Sequence, residues 1–134
     1  VHFPGFKQAG ELPAYYGLAQ VFILASSHFE PWGLVVNEAM AAGLPVLVSK
    51  ACGCAVDLVQ EGVNGFTFDP YDVQGLARLL EKMSSREVDL PAMGAASRRL
   101  IADWTPGVFA QNLFNAAAAA MAAKQARAGW GKRV

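Results

Sequence analysis

The sequence predicts an α/β domain built on a mainly parallel sheet flanked by helices. Three observations lead there. Short apolar runs, "VFILAS", "PVLVS" and "GFTFD", are separated by segments with helical spacing. The first two runs are continuous rather than alternating, which is the pattern of strands buried on both faces in a parallel sheet. The connections between elements are short, as repeated strand–helix alternation requires.

Taken in order, "VHFPG" reads as a short strand ending at Gly5. "ELPAYYGLA" follows as a helix, with Leu12, Tyr15, Tyr16 and Ala19 at helical spacing and Pro13 in a first turn, where its missing N–H costs little. "VFILAS" is the next strand, and the polar loop "SSHFEPWG" leads into a helix from about Leu34 to Ala42. Gly43 and Pro45 close that helix. "PVLVS" is a second buried strand, "ACGCAVDLVQEGVNG" a loop, short helix and turn, and "GFTFD" a third strand ended by Pro70. Asp72 is the N-cap of a helix carrying Val73, Leu76, Leu79, Leu80 and Met83 on one face. A further helix is expected from roughly Leu90 to Trp104, and a last one from Pro106 into an alanine-rich stretch whose final ten residues should fray or form a tail. These three helices in succession are expected to cover one face or one edge of the sheet.

Composition narrows the function. Of 134 residues, 54% are hydrophobic, enough for a core, and eleven basic side chains balance eleven acidic ones. A polyanion-binding protein should carry a clustered basic face, so nucleic acid is not an expected partner. No apolar run approaches the roughly 18 residues of a membrane span, and the N-terminus lacks the basic-then-apolar plan of a signal peptide. Cys52 and Cys54 sit one residue apart in "ACGC", too close for an unstrained disulfide and without histidines nearby in sequence for a metal site. Reduced thiols in a loop suit a cytoplasmic protein.

The stretch "EPWGLVVNEAMAAGLPV" concentrates the chemistry. Strand "VFILA" should deliver Ser26, Ser27, His28 and Glu30 to its carboxyl end, the place where such sheets bind ligands. The loop from Ser49 to Val56 should lie at another carboxyl end. A helix starting near Gly33–Leu34 turns its unbonded N–H groups and positive dipole end toward the same crevice, a ready anion site. Gly33 allows close backbone approach. Glu38, eight positions after Glu30, can face the same side and accept hydrogen bonds from vicinal hydroxyls such as those of a ribose; Glu30 can do so for a second polyol. Spacing alone leaves the other reading open, in which Glu38 is a solvated helix residue and Glu30 a loop charge.

The segment from Phe22 to Pro70 resembles the donor-binding domain of the retaining GT-B glycosyltransferases known as glycosyl transferases group 1. The residues that carry the likeness are "VFILASSHFEPWGLVVNEAMAAGLPVLVS", with Glu30 and Glu38 as its E-x7-E pair, and "GCAVDLVQEGVNGFTFDPYD", with its glycine turn and G-x-N-G-x-x-x-x-P-x-D ending. Upstream, "VHFPGF" and "ELPAYYGLAQVF" match the strand, loop and helix before the motif, so the likeness covers roughly residues 1–110. The resemblance implies a Rossmann-like domain that binds a nucleotide-diphosphate sugar (UDP-, GDP- or ADP-linked) and transfers the sugar to a glycan, lipid or other acceptor with retention. It implies Glu30 as the catalytic glutamate beside the transferred sugar. The backbone of Pro31, Trp32, Gly33 and Leu34 would contact sugar and diphosphate, Glu38 the ribose, and the loop with Phe6 and Lys7 the base. It implies no cofactor and no protein-bound metal. Residues 1–110 would form part of the donor domain, and 106–134 the C-terminal helix and tail of the same domain.

The sequence departs from the family pattern in two ways. An earlier part of the donor domain, with a basic pair that neutralises the diphosphate, has no counterpart here, nor does the N-terminal acceptor domain. Lys7 and Lys50 match neither member of the pair. The chain is therefore expected to be part of a longer enzyme and inactive alone, with peripheral attachment of that enzyme to the inner face of a membrane as an expected variation. The alternative is a non-catalytic nucleotide-binding fragment or interaction module. Secondly, Cys54 and Asp57 stand where many relatives have a glycine and a glutamate; Asp57 is read as a cap or loop anchor or as a ligand contact, and Cys54, without a base partner, as no nucleophile. His28 either lines the crevice or faces solvent, Trp32 packs beneath the loop, Tyr15 and Tyr16 pack between helix and sheet, and Ser97–Arg99 form a solvated helix face. No G-x-G-x-x-G follows a first strand, which argues against a nicotinamide-linked reductase. Loss of the first strands is expected to expose a sheet edge and favour self-association.

Overall fold

A computed structural model describes the backbone of residues 1–130 and the side chains of residues 1–124. The elements are α1 (Leu12–Leu18), β1 (Phe22–Leu24), α2 (Leu34–Ala41), β2 (Val46–Ser49), α3 (Ala55–Leu58), β3 (Gly65–Phe68), α4 (Val73–Ser84), α5 (Leu90–Ile101) and α6 (Pro106–Trp130). The chain divides into two compact units, 1–102 and 103–134.

In the first unit the three strands lie in the order β1–β2–β3, all parallel, with Phe22 opposite Val46 and Val46 opposite Gly65. The α/β class and the parallel sheet stand as expected, and β2 is buried along its whole length. Two expectations do not hold. "VHFPG" forms no strand: residues 1–5 are exposed and unpaired, and β-propensity without a neighbouring ladder does not make a strand. The run "VFILAS" shortens to β1 and is not buried on both faces, since β1 is an edge strand and Ile23 stays 39% exposed.

Side chains alternate across β2 and so feed two cores. Val46 and Val48 join Val36, Ala39 and Met40 of α2 and Ala55 and Leu58 of α3. Leu47, from the other face, joins Phe68, Met83 of α4 and Met93 of α5. Of the five residues expected on the apolar face of α4, only Leu76, Leu79 and Met83 pack there; Val73 and Leu80 are exposed. Nor do the late helices cover a single face. α4 lies in the second core, whereas α5 begins there with Leu90 and Met93 and ends at the first core with Leu100 and Ile101.

That course of α5 fixes α2. Gly94 passes so close to the carbonyl of Gly43 that a Cβ would collide with it. Ser97, buried, donates to the Leu44 carbonyl (2.7 Å), and Arg98 donates to the Ala42 carbonyl (2.9 Å). A cation on the last carbonyls suits the negative end of the α2 dipole. Gly43 takes the left-handed conformation that ends the helix (φ +82°). Arg98 thus has a structural partner that the reading of Ser97–Arg99 as a solvated face did not foresee.

The turn "GVNG" is also constructional. Buried Asn64 accepts from the Gln60 N–H (2.7 Å) and donates to the Leu58 carbonyl (2.9 Å), tying α3 to the start of β3. Asp72 caps α4 through the Gly75 N–H (2.8 Å), and Asp89 caps α5 through the Ala92 N–H (2.9 Å). In the second unit, α6 follows Thr105, whose hydroxyl accepts from the Val108 N–H (3.2 Å). The expected fraying concerns 125–134: the backbone is helical to Trp130, and 131–134 lie outside the described residues.

Candidate functional site

The polar loop after β1 runs alongside the loop after β2, and the two are joined by backbone. The Glu30 N–H donates to the Ala51 carbonyl (3.1 Å), the Gly53 N–H to the Glu30 carbonyl (2.8 Å), and the Cys54 N–H to the Trp32 carbonyl (3.1 Å). Gly53 is required here, because a Cβ would strike the Pro31 carbonyl. The two loops expected at strand carboxyl ends therefore form one wall.

Glu30, half-buried, ends this pairing. Three residues on, Gly33 turns the chain into α2 with φ +93°, a left-handed conformation that glycine adopts without strain. A side chain there would meet Leu24 Cδ2 at 2.9 Å, Cys54 Sγ at 3.5 Å and Glu30 Cγ at 3.6 Å. Glu30 thus sits against the start of α2. The Val36 N–H bonds the Gly33 carbonyl (2.9 Å), and no side chain caps the first-turn amides of Leu34 and Val35. Trp32 is half-buried against the first core and donates from Nε1 to Asn37 Oδ1 (2.9 Å), which holds the turn from below. Glu30, Pro31, Trp32, Gly33 and Leu34 are together; His28 lies outside the wall, exposed, with Nδ1 3.1 Å from the Ser27 hydroxyl.

Glu38 projects from α2 toward α1. Its Oε2 accepts from the Tyr16 hydroxyl (2.7 Å), and the Tyr16 ring packs on Phe22, 6.1 Å between centroids. Burial first, then the Glu38 hydrogen bond and charge, push the Tyr16 hydroxyl up to about 12. Glu38, Tyr16, Leu12, Pro13, Ala9 and Ala42 line an open groove of about 520 Å³ between α1 and α2. Phe6 and Lys7 precede α1: Phe6 is 87% exposed, and Lys7 Nζ stands 5.4 Å from the Tyr15 ring centre. The structure does not bring them against either glutamate.

The cysteines are free and buried. Burial pushes the Cys54 thiol up to about 11, with the charges of Cys52, Glu30 and Asp57 adding to it. Cys52 is raised by burial, against a hydrogen bond from Ser26 that lowers it. Both are thiols at neutral pH and poor nucleophiles. Asp57 is no N-cap: that position in α3 is Cys54, and Asp57 stands exposed in the first turn. Two contacts escaped the sequence reading. Tyr16 was read as packing only, and its bond to Glu38 has no signal in the spacing. Tyr71 donates to the Ser27 carbonyl (2.6 Å), linking the loop after β3 to the loop after β1 across 44 positions of sequence.

The first unit thus carries a parallel sheet with a glutamate-bearing loop and an open helix start after its first strand. Residues 1–100 match the model of glycosyl transferases group 1, and the chain belongs to that family. It is 40% identical over 103 residues to a sulfoquinovosyl transferase of Arabidopsis thaliana, covering 72% of this chain and 19% of that protein. It is 34% identical over 111 residues to a GDP-mannose-dependent α-(1-6)-phosphatidylinositol monomannoside mannosyltransferase of Mycobacterium tuberculosis, covering 78% of this chain and 29% of that one. Among solved structures, sucrose-phosphate synthase of Thermosynechococcus elongatus matches 86% of this chain and 30% of its own, with a TM-score of 0.70 and 27% identity. The fold is accordingly that of part of a GT-B glycosyltransferase. The chain spans about a fifth to under a third of the length of these relatives. Among the described residues, no helix is long and apolar enough to cross a membrane.

Proposed function

We propose that this chain supplies part of the donor site of a retaining glycosyltransferase, which moves a sugar from a nucleotide diphosphate to a glycan, lipid or other acceptor. The observation that carries the reading is the placement of the Glu30 side chain against the uncapped start of α2, with Glu38 further along the same helix. In this reading the diphosphate lies at the amides of Gly33 and Leu34, where the helix dipole and unbonded donors favour anions. Pro31 and Trp32 contribute backbone to the sugar side. Glu38 accepts from the ribose hydroxyls, and the loop with Phe6 and Lys7, ahead of the groove beside Glu38, takes the base side. Glu30 is the catalytic residue: its carboxylate stabilises the positive charge that builds at the anomeric carbon as the sugar–phosphate bond breaks, the charge problem that glycosidases also solve with carboxylates. Donors linked to UDP, GDP or ADP all fit this scheme, and one relative is named for its dependence on GDP-mannose.

Titration of the full-length protein carrying this chain with UDP-, GDP- and ADP-sugars tests the reading. Glu38→Ala is expected to cost about 1.5–3 kcal/mol of nucleotide affinity, the worth of a hydrogen bond to a charged group. Unchanged affinity removes Glu38 from the ribose. The 134 residues alone are expected to give no transfer from any of the three donors, because no stretch of them matches the family's basic pair for the diphosphate. Turnover above background by the purified chain would overturn that expectation. The second reading is a non-catalytic nucleotide-binding module; nucleotide binding without transfer by the full-length protein would select it.

A further inference from the structure

We propose that Tyr16 is a positioning residue for the donor site: its hydroxyl holds one oxygen of Glu38 and leaves the other aimed at the ribose. The inference rests on the reading of Glu38 given above. The observations are geometric. The bond from the Tyr16 hydroxyl to Glu38 Oε2 is 2.7 Å and joins α1 to α2 across 22 positions of sequence. The Tyr16 ring is itself fixed, half-buried against Phe22 at the start of β1 and in contact with the first core. Glu38, by contrast, is exposed.

An exposed glutamate samples many rotamers, and a ligand that needs one of them must order the side chain on binding. Tyr16 does part of that ordering in advance. The polarity is correct as well. A carboxylate accepts only, with about four lone-pair sites on its two oxygens. Tyrosine occupies one by donating, which leaves Oε1 and the remaining site of Oε2 for a vicinal diol, whose hydroxyls also donate. A residue that accepted from its neighbour could not play this part beside a carboxylate. Phenylalanine at the same position keeps the ring and the packing but lacks the donor, so it separates positioning from construction.

The experiment uses the full-length protein carrying this chain, with UDP, GDP and ADP as probes and isothermal calorimetry as readout. The tightest of the three is then compared with its 2′,3′-dideoxy analogue. Tyr16→Phe is expected to weaken the ribonucleotide roughly three- to tenfold, the range of one net hydrogen bond, and to leave the dideoxy analogue unchanged. In a Glu38→Ala background the same substitution should have no effect, as a double-mutant cycle requires of a residue acting through another. Equal weakening of both nucleotides means that Tyr16 only supports the fold, and the proposal fails. An effect of Glu38→Ala with none of Tyr16→Phe also sinks it while leaving the ribose reading intact. If none of the three nucleotides binds the wild-type protein, or if Glu38→Ala changes nothing, the ribose reading falls and this proposal with it.

Discussion

Helices α2 and α4 begin in opposite ways. α4 starts with Asp72, whose carboxylate fills the Gly75 N–H, and α5 and α6 repeat the device with Asp89 and Thr105. α2 starts with Gly33, which has no side chain to offer and is held in a conformation other residues avoid. The short helices α1 and α3 also lack a side-chain cap, so the missing cap is no site by itself. What distinguishes α2 is the company: the Glu30 side chain packed against the turn, a backbone wall beside it, and a far end tied down by Ser97 and Arg98. At α4, α5 and α6 a side chain satisfies a first-turn amide; at α2 none does, and the carbon chain of Glu30 stands against the turn instead.

The largest effect on this contrast should come from Gly33→Ala. The left-handed turn and the contact with Leu24 together predict a loss of roughly 2–4 kcal/mol, read from urea unfolding. A loss under about 0.5 kcal/mol would mean that the turn relaxes freely and the contrast has been overdrawn. Asp72→Ala should cost about 1 kcal/mol and leave nucleotide affinity in the full-length protein unchanged; weakened binding would show that the α4 cap also serves the site. Leu34→Glu probes the open end directly. Leu34 is 69% exposed, and a carboxylate there should stabilise the helix by about 0.3–1 kcal/mol while weakening a nucleoside diphosphate. Stability and affinity moving in the same direction would contradict an anion at that end.

The smallest effect is on the alkaline limb of stability. The Tyr16 hydroxyl is raised from 10.0 to about 12 in the folded chain. In the unfolded chain it ionises near pH 10, so its contribution is fully present below pH 10 and is lost as pH rises from 10 to 12. Tyr16→Phe should flatten that part of the profile. An identical slope in both proteins would show that neither the burial of the Tyr16 hydroxyl nor its bond to Glu38 persists in solution.

Much of this was legible in the sequence, for reasons that can be named. β2 announced itself because a continuous apolar run in the middle of a sheet has one environment. β1 was legible as a strand but not as an edge, because the sequence of an edge strand resembles that of a central one; only its neighbours decide, and Ile23 has none on one side of the ladder. "VHFPG" failed for the same reason. The cap at Asp72 and the helix end at Gly43 are local interactions, written within a few residues. The E-x7-E stretch was readable as a start of helix with two carboxylates, while the assignment of roles leaned on family likeness. Contacts that close long loops stayed invisible: Tyr16 with Glu38, Tyr71 with Ser27, Arg98 with Ala42. Each joins an ordinary side chain to a distant partner, and no periodicity marks it.

The wall that carries Glu30 is held by its peptide N–H and carbonyl: the hydrogen bonds to Ala51, Gly53 and, further on, between Cys54 and Trp32 are all backbone to backbone. Residue identity at this position is thereby uncoupled from loop architecture. A panel of replacements (glutamine, aspartate, alanine) should keep the scaffold and alter only the group presented to the ligand. Differences in their rates would then measure chemistry alone, without the folding defects that usually blur such comparisons. The same uncoupling gives selection a place to adjust reactivity while the framework around it stays constant.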